Sequence, residues 1–213
     1  MINILSNLIG NTTCLNIINP FYISLFLIFI TFAIHIYINQ TLLMTRIGIL
    51  SDTHGMLDDR ILEHFANCDE VWHCGDWGSL DVVNKLQAFK PLRGVWGNID
   101  SYEIRSIFPQ HNRFMCEGVK VWLTHIGGYP GKYDPLVRPA IFQQPPKLFV
   151  CGHSHILKVK YDKPLDLLHI NPGAAGKYGF HKVQTIVRFE IDGEKIQNLE
   201  VIELKPKEVE KLV

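Results

Sequence analysis

The chain has 213 residues, 47% of them hydrophobic, and its 21 basic and 21 acidic side chains cancel. That length suits one core-bearing domain and an appendage. A neutral balance argues against a binder of phosphate backbones, so a nuclease that tracks long nucleic acid is disfavoured.

The apolar residues are unevenly placed. Residues 1–43 contain no Asp, Glu, Lys or Arg, and within them Phe21 to Ile38 is an uncharged, mostly apolar run of 18 residues. That run just reaches the length of a membrane-spanning helix. Tyr22 and Tyr37 stand where interfacial anchors would. No basic stretch precedes it and no small-residue cleavage site follows, so it is a poor secretory signal. The rival expectation is a mis-assigned start. Met44 is followed at once by Thr45 and the first core strand, and the Ile, Leu, Asn, Phe and Tyr upstream resemble a translated AT-rich spacer. The expected organisation is an apolar extension over 1–43 and a catalytic-sized domain over 44–213.

Five cysteines, Cys14, Cys68, Cys74, Cys116 and Cys151, are odd in number and lack CxxC spacing. They argue against a disulfide framework and a structural zinc site, and fit a reducing compartment. Cys74 and Cys151 each end an apolar run, where a small buried thiol is the plainer reading. The expected location is cytoplasmic. On the anchor reading, residues 21–38 attach the domain to a membrane with the domain facing the cytoplasm, and a membrane is a partner only through that run.

From Arg46 onward, five short apolar runs each end in a polar or glycine-rich turn. RIGIL leads into SDTHG, EVWHC into GDWG, LRGVW into GNID, VKVWL into THIGG and KLFVC into GHSH. Their shortness and their β-branched and aromatic content predict strands. Leu57 to Cys68 and Leu80 to Phe89 carry apolar residues at helical spacing. Strand alternating with helix predicts parallel pairing. After Asp100 the texture turns β-rich. RFMCEG and VKVWLTH predict a hairpin, ILKVKYD, LDLLHI, TIVRFEI and IQNLEVIEL predict strands, and Asp192-Gly193 predicts a hairpin turn. The β-rich half is expected to make a second sheet. The fold class expected is α/β, a sandwich of two sheets packed face to face with helices outside.

Ligands of open α/β sheets gather at the carboxyl ends of strands. The five turns place Asp52, His54, Asp76, Asn98, His125, His153 and His155 there. These oxygen and imidazole donors, with no thiolate, suit zinc, manganese, iron or nickel. Each alone has a plain alternative: Asp52-x-His54 an ordinary strand end, Gly75-Asp76 and Gly97-Asn98 simple turns, His125 a half-buried histidine. His153-x-His155 is stronger, because two imidazoles two residues apart in a loop can face one point. Together, metal donors at five strand ends of one short domain point to a metal centre.

The series Asp52-x-His54, Gly75-Asp76-x-Gly78, Gly97-Asn98-x-Asp100, His125 and Gly152-His153-x-His155 resembles the full signature of calcineurin-like metallophosphoesterases. RIGILSDTHG and Asn171-Pro172-Gly173 resemble the small YfcE-type phosphodiesterase branch, and the resemblance spans about Arg46 to Phe189. It implies the metallo-dependent phosphatase fold, an αββα sandwich. It implies two divalent metal ions, manganese first and nickel, iron or zinc as alternatives. One would take Asp52, His54, Asp76 and His155, the other Asp76, Asn98, His125 and His153, so the same seven residues are both catalytic and metal-binding. A hydroxide between two such ions, about 3.5–4 Å apart, would attack phosphorus in line. The implied substrate is a small phosphodiester. Asp100 is expected to orient ligands or stabilise its turn; Ser51 and His73, beside ligands, have either a supporting or a purely structural role.

Two departures from the family pattern matter. Ile99 stands where many members have a histidine that protonates the leaving group, and Ala174 stands where members often have serine. His64, His111, His169 and His181 are expected in surface or packing roles. Trp72, Trp96 and Trp122 are expected in the core, and Trp77 is a candidate for the substrate mouth. A different class also resembles this sequence: the retromer subunit of the same fold, a protein-interaction scaffold. Its metal set is degraded, whereas all seven donors are present here.

Overall fold

A computed structural model describes residues 24–31 and 44–204. The chain divides into two compact units, Met1–Leu43 and Met44–Val213. In the first, residues 24–31 form a helix whose side chains are exposed. No helix among the described residues is long and apolar enough to cross a membrane. The remainder of the run over 21–38 lies outside the described residues.

The second unit alternates strand and helix at first. Strand β1 (Met44–Leu50) is followed by helix α1 (Asp59–His64), β2 (Glu70–His73), α2 (Leu80–Phe89), β3 (Leu92–Gly94) and α3 (Tyr102–Ile107). Then come β4 (His111–Cys116), β5 (Val119–Thr124), β6 (Gly128–Tyr129), β7 (Lys132–Tyr133), α4 (Arg138–Gln143) and β8 (Leu148–Val150). Strands β9 (Lys158–Asp162), β10 (Leu167–Asn171), β11 (Gln184–Asp192) and β12 (Lys195–Leu204) complete it. Helix α1 is shorter than its apolar spacing predicts. Asp58 caps it, accepting from the Arg60 N–H, and the helix ends at His64.

Two five-stranded sheets result, ordered β12-β11-β1-β2-β3 and β4-β5-β8-β10-β9. Strands β1, β2 and β3 are parallel, as are β5, β8 and β10. The last two strands correct the expectation that the whole β-rich half forms the second sheet. Strands β11 and β12 return to the first sheet, where β11 pairs antiparallel with β1. The reason is burial. Val187, Phe189 and Ile191 on β11 face the same core as Ile47 and Ile49 on β1. Helices α3 and α4, absent from the sequence expectation, supply Ile104 and Ile141 to the outer layers.

The period of two along each strand explains the layers. Val121 and Leu123 of β5 and Leu148 and Val150 of β8 point inward, against Ile47, Ile49 and Trp72 of the other sheet. Their neighbours point outward. Val71 and Ile186 meet α1, α2 and α3 through Ile61, Leu86 and Ile104. Trp122 and Phe149 meet α4 through Val137 and Ile141. Each such side chain, fully buried, contributes about 1.5–3 kcal/mol. The outcome is the expected αββα sandwich, with its parallel strands delivering their carboxyl ends to one edge.

Candidate metal centre

The loops after β1, β2, β3, β5 and β8 meet at that edge and are tied to one another by their backbones. Asp52 N–H donates to Gly75 O at 3.0 Å and His54 N–H to Asp76 O at 3.0 Å, which zips the first two loops together. Gly152 N–H donates to His125 O at 3.0 Å, joining the loops of the second sheet. His153 N–H reaches across to Asp52 Oδ2 at 3.1 Å. Asp52, His54, Asp76, His153 and His155 all hold φ between 48° and 68°. That left-handed region is uncommon for residues with a Cβ. Each instance costs on the order of 1–3 kcal/mol and persists only where surroundings over-determine it, commonly at functional sites.

All seven predicted donors are brought together. The ligand atoms of Asp52, His54 and His155 lie within 4.8 Å of one another, and so do those of Asp76, His125 and His153. In the first group His155 Nε2 stands 3.1 Å from His54 Nε2 and 3.2 Å from Asp52 Oδ1. In the second, His125 Nε2 stands 3.2 Å from Asp76 Oδ1 and 3.1 Å from Asn98 Oδ1. The other oxygen of Asp76 faces His54 Nε2 at 4.0 Å. The Asp76 carboxylate therefore stands between the two groups.

The donor set fits cations. Asp52 Oδ1 is buried and, although His155 Nε2 lies 3.2 Å away, receives no well-directed hydrogen bond, where a buried carboxylate oxygen ordinarily has one. The Cys74 carbonyl at 2.8 Å from His125 Nδ1 can only accept, so Nδ1 carries the proton and Nε2 is left free to ligate.

Electrostatics follow the same geometry. Burial alone would lower His125's pKa, but the adjoining carboxylates of Asp76 and Asp52 outweigh it and raise it. Burial alone would raise Asp76's, yet the hydrogen bond and charge of His125 and the Ile99 N–H bring it below the usual value. Asp52 raises His155. His153 is lowered by burial and by the charge of His125.

The supporting residues are partly as expected and partly not. Asp100 accepts from the backbone N–H groups of Asp76 (3.1 Å), Gly78 (3.0 Å) and Gly97 (2.7 Å), fastening two donor loops. Gly97 packs so closely that a Cβ there would lie 2.1 Å from Asp76 Oδ1. His73 accepts from Gly75 N–H through Nδ1 and donates to Thr53 Oγ1 through Nε2, so both nitrogens are engaged. Its ring stacks on Trp77 at 3.7 Å, and Trp77 stacks on Phe108 at 4.4 Å. Trp77 is thus fully buried core, not the substrate mouth, because its indole N–H is consumed by Val95 O. Trp72 and Trp122 are core residues as expected, whereas Trp96 is only half-buried, beyond the end of β3.

Three supporting roles escaped the sequence reading, which took Asn171 only as part of its turn. Asn171 donates to Gly152 O at 2.8 Å and to Ser154 Oγ at 3.1 Å, bracing the loop of His153. Thr53 Oγ1 joins His73 to Trp77 O at 3.0 Å. Arg105 donates to the carbonyls of Asn98 and Asp100. Their signal was weak: Thr53 and Arg105 are not metal-ligand types, and Asn171 stands 16 residues beyond His155.

Residues 45–194 match the calcineurin-like phosphoesterase superfamily domain. The chain belongs to that superfamily. A relative named "Probable metallophosphoesterase" from Methanothermobacter thermautotrophicus is 27% identical over 156 residues, covering 70% of this chain and 88% of that protein. A phosphodiesterase of Methanocaldococcus jannaschii is 26% identical over 149 residues, covering 62% and 86%. Among solved structures, an archaeal phosphodiesterase superposes with a TM-score of 0.60 at 24% identity, over 75% of this chain and 99% of that one. Vps29 of Cryptosporidium parvum superposes with a TM-score of 0.61 at 20% identity, over 77% and 100%. The structural likeness at these identities establishes the shared fold.

Proposed function

We propose that this chain hydrolyses small phosphodiesters at a centre of two divalent cations. One observation carries the reading: two donor groups, each tight enough for one ion, flank the single carboxylate of Asp76. Asp52, His54 and His155 with Asp76 would hold the first cation; Asp76, Asn98, His125 and His153 would hold the second. Bound cations of this kind neutralise charge on phosphate oxygens and make water a nucleophile near neutral pH. The chain's own part is to fix geometry before substrate arrives. Asp76 offers one oxygen to each side. Asn98 contributes a neutral oxygen, leaving more positive charge for the phosphate than a further carboxylate would. The imidazoles must be unprotonated to ligate, so acid pH opposes activity. We favour manganese, with nickel, iron and zinc suited to the same donors. The buried free thiols of Cys68, Cys74, Cys116 and Cys151 support a reducing, cytoplasmic setting.

A second reading is a metal-binding scaffold. It is favoured by Vps29 chains of this fold, one of them a zinc complex from Entamoeba histolytica with a TM-score of 0.54. The purified chain, loaded with Mn²⁺, is expected to cleave bis(4-nitrophenyl) phosphate and to lose that activity in EDTA. Asp76→Ala should lose both cations and His153→Ala mainly one, read as bound metal per chain. Two cations retained by Asp76→Ala sinks the bridging role. Two bound cations without turnover favours the scaffold.

A further inference from the structure

The segment over residues 177–182, Lys-Tyr-Gly-Phe-His-Lys, lies beside the donors His54 and His155. It begins behind Asp52, where Gly176 N–H donates to Asp52 O at 3.0 Å. Gly179 then approaches so closely that a Cβ there would lie 2.4 Å from His155 Nδ1, with φ at 132°. Only glycine combines that approach with that backbone. On either side of it the aromatics splay outward. Tyr178 lies 6.5 Å from His54 between ring centroids, and His181 lies 5.2 Å from His155. His181 is anchored by Gly176 O at 2.8 Å, so it braces the segment against the donor loop, a role beyond the surface or packing one expected of it. Phe180 is fully exposed and Tyr178 is 75% exposed.

A cavity of about 420 Å³ opens between this segment and the donor loop, lined by His153, His155, Ile156, Gly179 and Phe180. Its walls are therefore two metal donors on one side and apolar and aromatic surface on the other. Ile156, 63% exposed, extends the apolar face. A larger cavity of about 740 Å³ on the far side of His181 sets Asp58, Asp59 and Glu63 against Arg60, Lys177 and Lys182, and none of the donors lines it. A pocket beside Asn98 and His125 also meets Trp96, Ile126 and Leu136, but its volume of about 50 Å³ is too small for a base, whereas the 420 Å³ cavity joins donors to surface that suits a flat ring.

Resting on the phosphodiesterase reading above, we infer that residues 178–180 form a subsite for a planar aromatic ester group. The favoured substrates are then phosphodiesters of nucleosides, with the base stacked on Phe180 or Tyr178 and the phosphate at the donors. Every base offers a π-face, so the subsite selects nucleosides without selecting sequence.

The test compares two diesters with one leaving group: the 4-nitrophenyl ester of thymidine 5′-phosphate and methyl 4-nitrophenyl phosphate. The thymidine ester should have the higher kcat/KM. Phe180→Ala and Tyr178→Ala remove exposed rings and should fold; at least one should lower that preference about tenfold. Equal kcat/KM on the two esters, or a preference that both variants keep, overturns the subsite while phosphodiester hydrolysis stands. Hydrolysis of neither ester removes the phosphodiesterase reading instead. The subsite is then decided by titrating Mn²⁺-loaded protein with thymidine 5′-phosphate. Binding weakened about tenfold in either variant sustains it; no binding, or binding that neither variant changes, overturns it.

Discussion

Arg105 holds Asn98 by the backbone: its guanidinium donates to Asn98 O at 2.9 Å and to Asp100 O at 2.8 Å. The same guanidinium lies 4.5 Å over the Trp96 ring, which fixes its plane. Asn98 Oδ1 is the loop's contribution to the second donor group. Arg105→Ala should therefore weaken binding of one cation about 10–100-fold, the usual effect of losing an outer support, and leave the other nearly unchanged. Calorimetric titration with Mn²⁺ reads both affinities. Arg105→Lys should recover little, because one ammonium cannot hold two carbonyls in a fixed plane. Unaltered affinities in Arg105→Ala would show that the turn stands without it.

Ile99 governs the next expectation. Its backbone N–H donates to Asp76 Oδ1 at 3.2 Å, and its side chain is 49% exposed beside the donors. The family resemblance puts a proton-donating histidine at this position, and isoleucine cannot donate a proton. A positioned acid typically contributes about 10²–10⁴-fold. Rates should thus rise steeply with leaving-group acidity, and diesters should outrun monoesters, whose dianions bind two cations tightly in the ground state without speeding the chemistry. A kcat/KM series over diesters of graded leaving-group pKa measures this, and Ile99→His should flatten it. His73 is too deeply stacked to serve instead. A flat series in the natural chain would point to another donor, with His111 the one to replace.

His169 provides a stability test away from the donors. It is buried, with Nε2 at 3.0 Å from Gly128 O, and burial lowers its pKa from 6.5. The folded chain keeps it neutral while the unfolded chain protonates it below about pH 6.5. Its contribution is therefore complete above that pH and is lost as pH falls, by up to about 1.4 kcal/mol per unit. His125 and His155, raised in the folded state, act in the opposite sense. A difference measurement separates them: metal-free His169→Gln should lose less stability between pH 7 and pH 5.5 than the natural chain. Urea midpoints at the two pH values decide it. Parallel losses would mean that His169 takes up its proton without unfolding.

The unit beginning at Met44 contains the whole superfamily match, residues 45–194, and every donor. A chain started at Met44 should fold, bind two cations and turn over the same diesters. Soluble yield, bound metal and activity are the measurements. An insoluble or metal-free product, beside an active full-length chain in detergent, would make the first 43 residues structural.

Much was legible because the informative residues are local. Each donor sits within a few residues of an apolar run, and strand ends are where such chains place chemistry. The seven candidate donors and the parallel pairing of β1, β2 and β3 follow from period and turn chemistry. Other features depend on contacts between distant segments. Whether β11 joins the first or the second sheet is decided by which core face Phe189 covers, and both sheets offered an apolar face. Trp77 looked like a mouth residue because it follows a donor; only the ring stack with His73 and Phe108 shows it to be core. Asp76 could be named as a ligand from its motif, yet its place between the groups depends on His54 and His125, which approach it from loops of opposite sheets. The segment over 177–182 shows the same limit. Its glycine, lysines and aromatics read as an ordinary polar connection until folding sets Gly179 against His155, because sequence separation carries no information about that distance.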